Sequence, residues 1–240
     1  LRRKVDRLEP PCKYLLTGSQ NLSLLKSVAE SMAGRVGILE LNGMGHHEIC
    51  RTGKAPWWLD NYLSAPESLL GKFSGLITDG GNLIRALWRG GMPGLLEIPD
   101  GTVPDYFLSY LRTYIERDVR TMAAIEDLPT FERFLGLTAA LTAQEINYSK
   151  LGQEIGVTPT TAHRWLALLG ATYQWLEVFP YHGNAIKRLS GKRKGYLQDT
   201  GFACYLQRIS SPEALAVSPF RGQMFETWVV KLKAAEALRP

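Results

Sequence analysis

The chain has 240 residues, of which 45% are hydrophobic, and this is enough for one or two domains with buried cores. It contains no run of eighteen apolar residues, and its first residues, LRRKVDRLEPP, lack the apolar centre of a signal peptide, so neither a membrane span nor a secretory leader is expected. The formal net charge of +5 is compatible with a nucleic-acid partner but does not establish one.

The first predicted elements are a strand, a helix and a second strand. The apolar run CKYLL ends at Gly18, and the run VGILEL begins at Val36. Between them, the spacing of Leu25, Val28, Ala29 and Met32 predicts a helix with one buried stripe. This order is typical of a βαβ unit in a parallel sheet. A single unit predicts only the edge of such a sheet.

Helices are predicted to dominate the next part of the chain. Residues 42–60 read as a loop, and a glycine- and proline-rich turn lies at 90–94. A helix is expected over 105–125, and another over 130–142. The side chains expected on the buried side of the first of these are Phe107, Leu111, Tyr114, Ile115 and Val119.

Residues 147–183 have the layout of a helix-turn-helix. Ser149 is predicted to cap a first helix, Lys150–Ile155, and Gly156 to provide the left-handed residue of the turn. Thr158 then caps a second helix, with Pro159 at its first position. The side chains expected to face the core are Val157, Ala162, Trp165, Leu166 and Leu169. Two strand-like runs, YQWLEVF and GYLQD, flank the basic connector HGNAIKRLSGKRK and complete a predicted winged helix.

Sites for phosphate and metal are not evident in the sequence. The Gly-Lys pairs at 53–54, 71–72 and 191–192 are not followed by Ser or Thr, as a phosphate-binding loop requires. The cysteines at 12, 50 and 204 have no metal-site spacing, which favours a reducing, cytoplasmic compartment. No metal site is predicted, and the chain alone is not expected to hydrolyse ATP.

A series of motifs resembles the prokaryotic AAA-type ATPases that carry a C-terminal domain of unknown function. In chain order the motifs are YLLTGSQ, LLKSVAESMAGRVGILELN, RGGMPG, YIERDVR, FERFLGLTAALTAQEINYSKLGQEIGVTPTTAHRWLALL, KRLSGKRKGYLQDTGFACYL and RGQMFETWVV. In that family the phosphate-binding loop lies upstream of LTGS. The resemblance therefore implies a fragment, also suggested by the missing initiator Met. The missing region would bind ATP and Mg²⁺.

The resemblance implies a mixed α/β and α+β chain that is mostly helical overall. Residues 1–50 would form the C-terminal edge of a parallel-sheet ATPase core, and residues 51–128 a helical lid. Residues 129–194 would form a winged helix-turn-helix, and residues 195–240 the start of a nuclease-like domain. Met92 stands where the family has an aromatic residue in its Gly-Gly-Tyr-Pro element.

The resemblance also implies nucleotide-site roles near the start of the chain. Thr17 and Ser19 match a polar sensor at a strand tip, and Arg35 matches an arginine finger that a homo-oligomer would supply in trans. A plain strand end and an arginine that counters a helix dipole are the alternative interpretations. Glu226 matches a helix glutamate near the family's nuclease metal site. Its alternative is a packing helix with Phe225, Val229 and Leu232 on the buried face.

The predicted winged helix suggests DNA contact. Its second helix would present Thr160, Thr161, His163 and Arg164 to a major groove. The cations expected to contact phosphates are Lys187, Arg188, Lys192, Arg193 and Lys194. Winged helices also serve as protein-contact modules, and a stand-alone DNA-binding or protein-interaction module without catalysis is the alternative function.

Overall fold

The computed structural model describes residues 41–49, 80–114 and 127–237, together with positions 67, 119 and 125. Helices predominate in these ranges, which confirms the mostly helical prediction. The strand–helix–strand predicted near the start of the chain lies outside the described residues apart from Leu41, which is 94% exposed. None of the helices in the described ranges is long and apolar enough to cross a membrane.

The described ranges contain ten α-helices. In chain order they are α1 (His46–Ile49), α2 (Gly80–Arg89), α3 (Val103–Thr113), α4 (Leu128–Ala140), α5 (Tyr148–Ile155), α6 (Pro159–Ala171), α7 (Ala185–Ser190), α8 (Thr200–Leu206), α9 (Pro212–Val217) and α10 (Arg221–Ala237). Two short 3₁₀ turns, Pro93–Leu95 and Asp100–Thr102, connect α2 to α3.

Three short strands, which follow α4, α6 and α7 in the chain, form a small sheet. Its strands are β1 (Gln144–Glu145), β2 (Trp175–Val178) and β3 (Lys194–Leu197). The last strand lies between the other two, and both pairings are antiparallel. In the part of the chain that the structure describes, this is the sheet that is present, and the parallel sheet predicted for the ATPase core falls outside that part.

The turn between α5 and α6 follows the predicted geometry. Gly156 has φ = +83°, the left-handed conformation that glycine adopts without a Cβ clash. The Thr158 hydroxyl accepts a hydrogen bond from the backbone N–H of Thr161, at 3.1 Å, and Pro159 is the first residue of α6. The predicted cap of α5 is wrong, because Asn147 and not Ser149 caps that helix by accepting from the N–H of Lys150.

The core joins this two-helix unit to the rest of the described chain. Trp165 on α6 packs edge-on against Phe131 and Phe134 of α4, with ring centroids 5.3 and 5.1 Å apart. The predicted core residues Ala162, Trp165, Leu166 and Leu169 are all buried, and Val157 is partly buried against them. The same cluster extends to Phe107 of α3 and Phe202 of α8, which stack at 5.9 Å.

Three further predictions need correction. The helix expected over 105–125 begins two residues earlier, at Val103, and α3 extends to Thr113; Phe107, Tyr114 and Val119 are buried as expected, and most of residues 115–126 lies outside the described residues. The basic connector contains α7, a helix that its composition did not indicate.

The prediction for the buried face of α10 was wrong at Phe225, while Val229 is half-buried and Leu232 lies outside the described side chains. Met224 and Thr227 are buried, whereas Phe225 is 46% exposed. The buried hydroxyl of Thr227 is hydrogen-bonded to that of Thr142, with 2.9 Å between the two oxygens, and this contact allows a polar side chain on the buried face.

A buried carboxylate connects α8 and α10 to the turn that follows α2. Asp199 accepts hydrogen bonds from the backbone N–H groups of Phe202 (2.9 Å) and Gly91 (2.8 Å) and pairs with Lys231 at 3.3 Å. Its side chain is 8% exposed and that of Lys231 is 10% exposed. We call these four residues the Asp199 anchor. Gly90 passes beside the Asp199 carboxylate with φ = +77°.

The glycine-rich turn at 90–94 is held in place by Arg89 and Arg85 at the end of α2. Arg89 donates hydrogen bonds to the backbone carbonyls of Leu95 and Ile98 and to the carboxylate of Asp100. Arg85 also binds Asp100, and its hydrogen bond lowers the pKa of that carboxyl. These contacts hold the segment between α2 and α3.

Candidate nucleic-acid interface

Helix α6 has one buried and one exposed face. Its packing face is fixed by Trp165 and its neighbours, so the residues on the opposite face are set toward solvent. Thr160, His163 and Arg164 are exposed. They have the position that base-contacting side chains take on the second helix of a helix-turn-helix.

Two of the residues predicted for this face already have contacts within the protein. The Thr161 hydroxyl lies 2.9 Å from that of Thr158, and Thr161 is half-buried. The His163 ring lies 4.9 Å from the ring of Tyr148. Thr160 and Arg164 therefore remain the most available of the four for contact with a base edge.

The segment that joins β2 to β3, residues 179–193, forms the wing together with Lys194, the first residue of β3. Its outer part, residues 179–191, we call the wing tip. Asn184 starts α7 there, and its side-chain oxygen accepts from the N–H groups of Ile186 and Lys187, at 2.9 and 3.2 Å. Lys187 and Arg188 are exposed, and no ion pair to either is formed within the described residues. These two cations are free to approach a phosphate.

The remaining cations, at positions 192–194, form the wing base and are all paired. Lys192 lies 3.5 Å from Glu145 of β1, and Arg193 lies 3.0 Å from Glu177 of β2. The Arg193 guanidinium also lies 4.1 Å from the ring centroid of Phe179.

The third cation of the wing base, Lys194, lies 2.8 Å from Glu226 of α10. All three side chains were predicted to contact phosphate. The structure shows them bound to carboxylates of the same chain.

Glu226 accepts from two donors on β3. Lys194 Nζ and the Tyr196 hydroxyl both lie 2.8 Å from its Oε1 atom. Burial alone would raise the pKa of Glu226, but the two hydrogen bonds and the Lys194 charge outweigh burial and lower it. Burial raises the pKa of the Tyr196 phenol, and the hydrogen bond to Glu226 raises it further. Glu226 is therefore an ionised carboxylate that ties α10 to β3.

The wing tip also carries apolar side chains that the sequence analysis did not single out. Tyr181 is 98% exposed, Ile186 76% and Leu189 64%. The helical spacing of Ile186 and Leu189 becomes visible only once α7 is recognised. A contact surface at the tip would therefore combine apolar groups with the charges of Lys187 and Arg188.

The predicted nucleotide-site residues cannot be placed. Thr17, Ser19 and Arg35 lie outside the described residues, so their sensor and finger roles stay predictions.

Glu48 is exposed, and its carboxylate accepts from the N–H of Gly45 at 2.7 Å. This contact caps α1.

A family model described as a domain of unknown function, DUF8612, matches residues 80–213, which is more than half of the chain. The chain belongs to this family. The DUF8612 match includes α2 to α8 and the first two residues of α9, and thus both the two-helix turn and the wing. It ends before α10, which supplies Glu226 and Lys231.

Two curated mycobacterial proteins are similar to nearly the whole chain. Uncharacterized protein Rv2008c of Mycobacterium tuberculosis and Uncharacterized protein Mb2031c of Mycobacterium bovis are each 28% identical to it over 235 residues, or 98% of the chain. The chain spans 47% of the length of each of these two relatives. No solved structure is significantly similar to it.

Proposed function

We propose that residues 128–197 form a winged helix-turn-helix that binds duplex DNA as one module of a larger AAA-type ATPase. The observation that carries the DNA-binding proposal is the order of elements. Helix α4, strand β1, helices α5 and α6, and strands β2 and β3 follow one another, with β3 at the centre of the sheet. These elements include a helix with an exposed face, α6, and an exposed basic segment, the wing tip, and a winged helix uses surfaces of these two kinds to contact bases and phosphates.

In this proposal the two surfaces have different tasks. Thr160 and Arg164 on α6 approach base edges in the major groove, where a guanidinium can bind guanine through two hydrogen bonds. Lys187 and Arg188 at the wing tip bind phosphates, which positions the module without reading sequence. Because α6 carries only one arginine, affinity would come mainly from the contacts with the DNA phosphates.

The ATPase part of the proposal rests on the resemblance of the motifs. The two mycobacterial relatives are about twice as long as the matched region, which leaves room for a nucleotide-binding core. ATP and Mg²⁺ would bind in that core, Thr17 and Ser19 would act as its sensor, and Arg35 would reach a neighbouring copy. A cytoplasmic location belongs to the same proposal.

The DNA-binding proposal is tested by the salt dependence of affinity for a duplex of mixed sequence. The double variant Lys187→Gln, Arg188→Gln should weaken binding at low salt and reduce the slope of log K against log salt by roughly 0.9 for each phosphate that is no longer neutralised. Arg112→Gln removes one charge from an exposed position on α3 and is the matched control for the single variants Lys187→Gln and Arg188→Gln, which are measured beside the double variant. An unchanged slope in the double variant would exclude the wing tip from the DNA contact.

The ATPase proposal is tested on the full-length protein. We expect phosphate release from ATP that is lost in Arg35→Ala and is partly restored when this variant is mixed with subunits that retain Arg35 but lack a functional phosphate-binding loop. Absence of a Gly-rich Lys-Thr loop and an Asp-Glu strand from the upstream reading frame would rule this function out.

The exposed apolar side chains of the wing tip favour a second candidate, a protein-contact module. The double variant Ile186→Ser, Leu189→Ser separates the two functions. If the tip contacts protein, DNA affinity changes by less than about twofold, within the ±0.5 kcal/mol typical of neutral surface substitutions. If the tip lies on DNA, the loss approaches that of the cation variant.

A further inference from the structure

We propose that Glu145, Glu177 and Glu226 compete with DNA for the three cations of the wing base, so that phosphates bind there only by displacing carboxylates of the same chain. This inference rests on the proposed DNA binding and adds its regulation. Lys187 and Arg188 would make the first contacts with DNA. The cations of the wing base would bind phosphates only afterwards, when the phosphates replace the carboxylates as their partners.

The competing carboxylates come from three different elements. Glu145 lies on β1, Glu177 on β2 and Glu226 on α10. Successive side chains of an extended segment point to opposite sides, so Arg193 points away from the side shared by Lys192 and Lys194. The neutralisation therefore depends on the assembled fold, and an isolated wing peptide would lack it.

Exposure makes these pairs exchangeable. The side chains of Lys192 and Glu145 are 73% and 62% exposed, and those of Lys194 and Glu226 are 46% and 42% exposed. Ion pairs at such positions contribute little net stability, because water and salt screen them. The dense negative charge of a DNA backbone can replace a single exposed carboxylate.

The three cations differ in how easily they are released. Arg193 is held most firmly, since its partner Glu177 is 21% exposed and also accepts from the Tyr148 hydroxyl at 3.2 Å. The Phe179 ring adds a cation–π contact to Arg193. Lys192 is the most exposed of the three cations and has the longest ion pair, so it is released first.

Glu226 extends the competition to α10. When a phosphate takes Lys194, Glu226 keeps its hydrogen bond from Tyr196 but loses the cation. Occupancy of the wing base is thus linked to a contact of the helix that follows the DUF8612 region. Linkage is reciprocal, so a change that removes Glu226 from β3 should strengthen DNA binding at Lys194.

The test compares Glu→Gln variants of the full chain in the same DNA titration. Glu226→Gln keeps an acceptor for Tyr196 and frees Lys194, and Glu145→Gln frees Lys192. Each should raise affinity at low salt by about twofold to fivefold, the equivalent of a surface ion pair, and steepen the salt slope by up to about 0.9. Glu132→Gln, at an exposed position on α4, makes the same change in net charge and should have a smaller effect.

A second variant shows whether the gain comes from the freed cation. Lys194→Gln added to Glu226→Gln should abolish the increase, since no cation is left to bind phosphate. DNA binding that appears only in the Glu→Gln variants also supports the proposal. An equal gain in Glu132→Gln, or no gain in either wing-base variant while the wild type binds DNA through Lys187 and Arg188, overturns the competition alone. No DNA binding in any variant overturns the proposed function as well.

Discussion

The Asp199–Lys231 pair of the anchor and the Glu226–Lys194 pair at the wing base both join a carboxylate to a lysine ammonium group, but their surroundings differ. Asp199 and Lys231 are 8% and 10% exposed, whereas Glu226 and Lys194 are 42% and 46% exposed. Asp199 also accepts from two backbone N–H groups that belong to different elements. An ammonium–carboxylate contact therefore joins α10 to the rest of the chain twice, once in the interior and once at the surface.

The difference between the two pairs shows that burial decides what an ion pair does. Removing one partner of a buried pair strongly destabilises the fold, because the group left behind is charged and cut off from water. An exposed pair loses little when it opens, because water solvates both groups. The Asp199 anchor is accordingly structural, while the wing base can exchange partners with a ligand. Four variants test this contrast, beginning with the one expected to have the largest effect.

Loss of the anchor carboxylate should destabilise the fold most. Asp199→Asn removes the counter-ion of buried Lys231 and weakens the acceptor for Gly91 and Phe202. We expect the free energy of unfolding in urea to fall by about 3–5 kcal/mol. Asp105→Asn, at an exposed position on α3, is the control and should change little. A loss at Asp199 no larger than that of the control would contradict a structural role for the pair.

Crowding the anchor should have the next largest effect. Gly90→Ala places a Cβ against the Asp199 carboxylate and the backbone N of Gly201, at a left-handed φ of +77°. The backbone conformation costs about 1–2 kcal/mol for a residue with a Cβ, and overpacking adds about 1–3 kcal/mol. Chemical denaturation measures the sum. Gly101→Ala meets no atom within 4 Å and serves as the matched control.

The wing-base pair should contribute little and only above a defined pH. Because the pKa of Glu226 is lowered in the folded protein, its ionised form stabilises the fold above the unfolded pKa of about 4.3. This contribution is lost as pH falls through the lower folded value. Glu226→Gln should therefore reduce stability by less than about 1 kcal/mol at pH 7, and the reduction should disappear at a pH low enough to protonate the carboxyl in the folded protein. A difference that grows as the solution is acidified would show that the sign is wrong.

Local signals predicted the two-helix turn well. Gly156, Thr158 and Pro159 each act within a few residues of their own position, so their sequence context is sufficient. The cap of α5 is different, since Asn147 and Ser149 are both good caps and the sequence alone does not choose between them. Asn147 sets the helix to begin at Tyr148, whose hydroxyl then reaches Glu177.

The state of the wing cations could not be predicted from the sequence. It was possible to count five basic residues between positions 187 and 194, but not to see that Glu226, 32 residues from Lys194, would neutralise one of them. Pairing over that distance depends on how α10 packs beside β3. The apolar surface of the tip was missed for a related reason, because it depends on α7 forming within a glycine-containing basic segment.

The smallest effect on stability is expected at the wing tip. Lys187→Gln with Arg188→Gln removes two exposed charges that have no ion-pair partner among the described residues, and the free energy of unfolding should change by less than about 0.5 kcal/mol. The same variant is expected to lose DNA affinity, so function and stability separate at the tip. Thermal or urea unfolding provides the measurement, and Asp199→Asn in the same series gives the opposite limit. A loss of stability above about 1 kcal/mol at the tip would mean that these cations hold the wing in place, and the distinction between a structural anchor and an exchangeable wing would then fail.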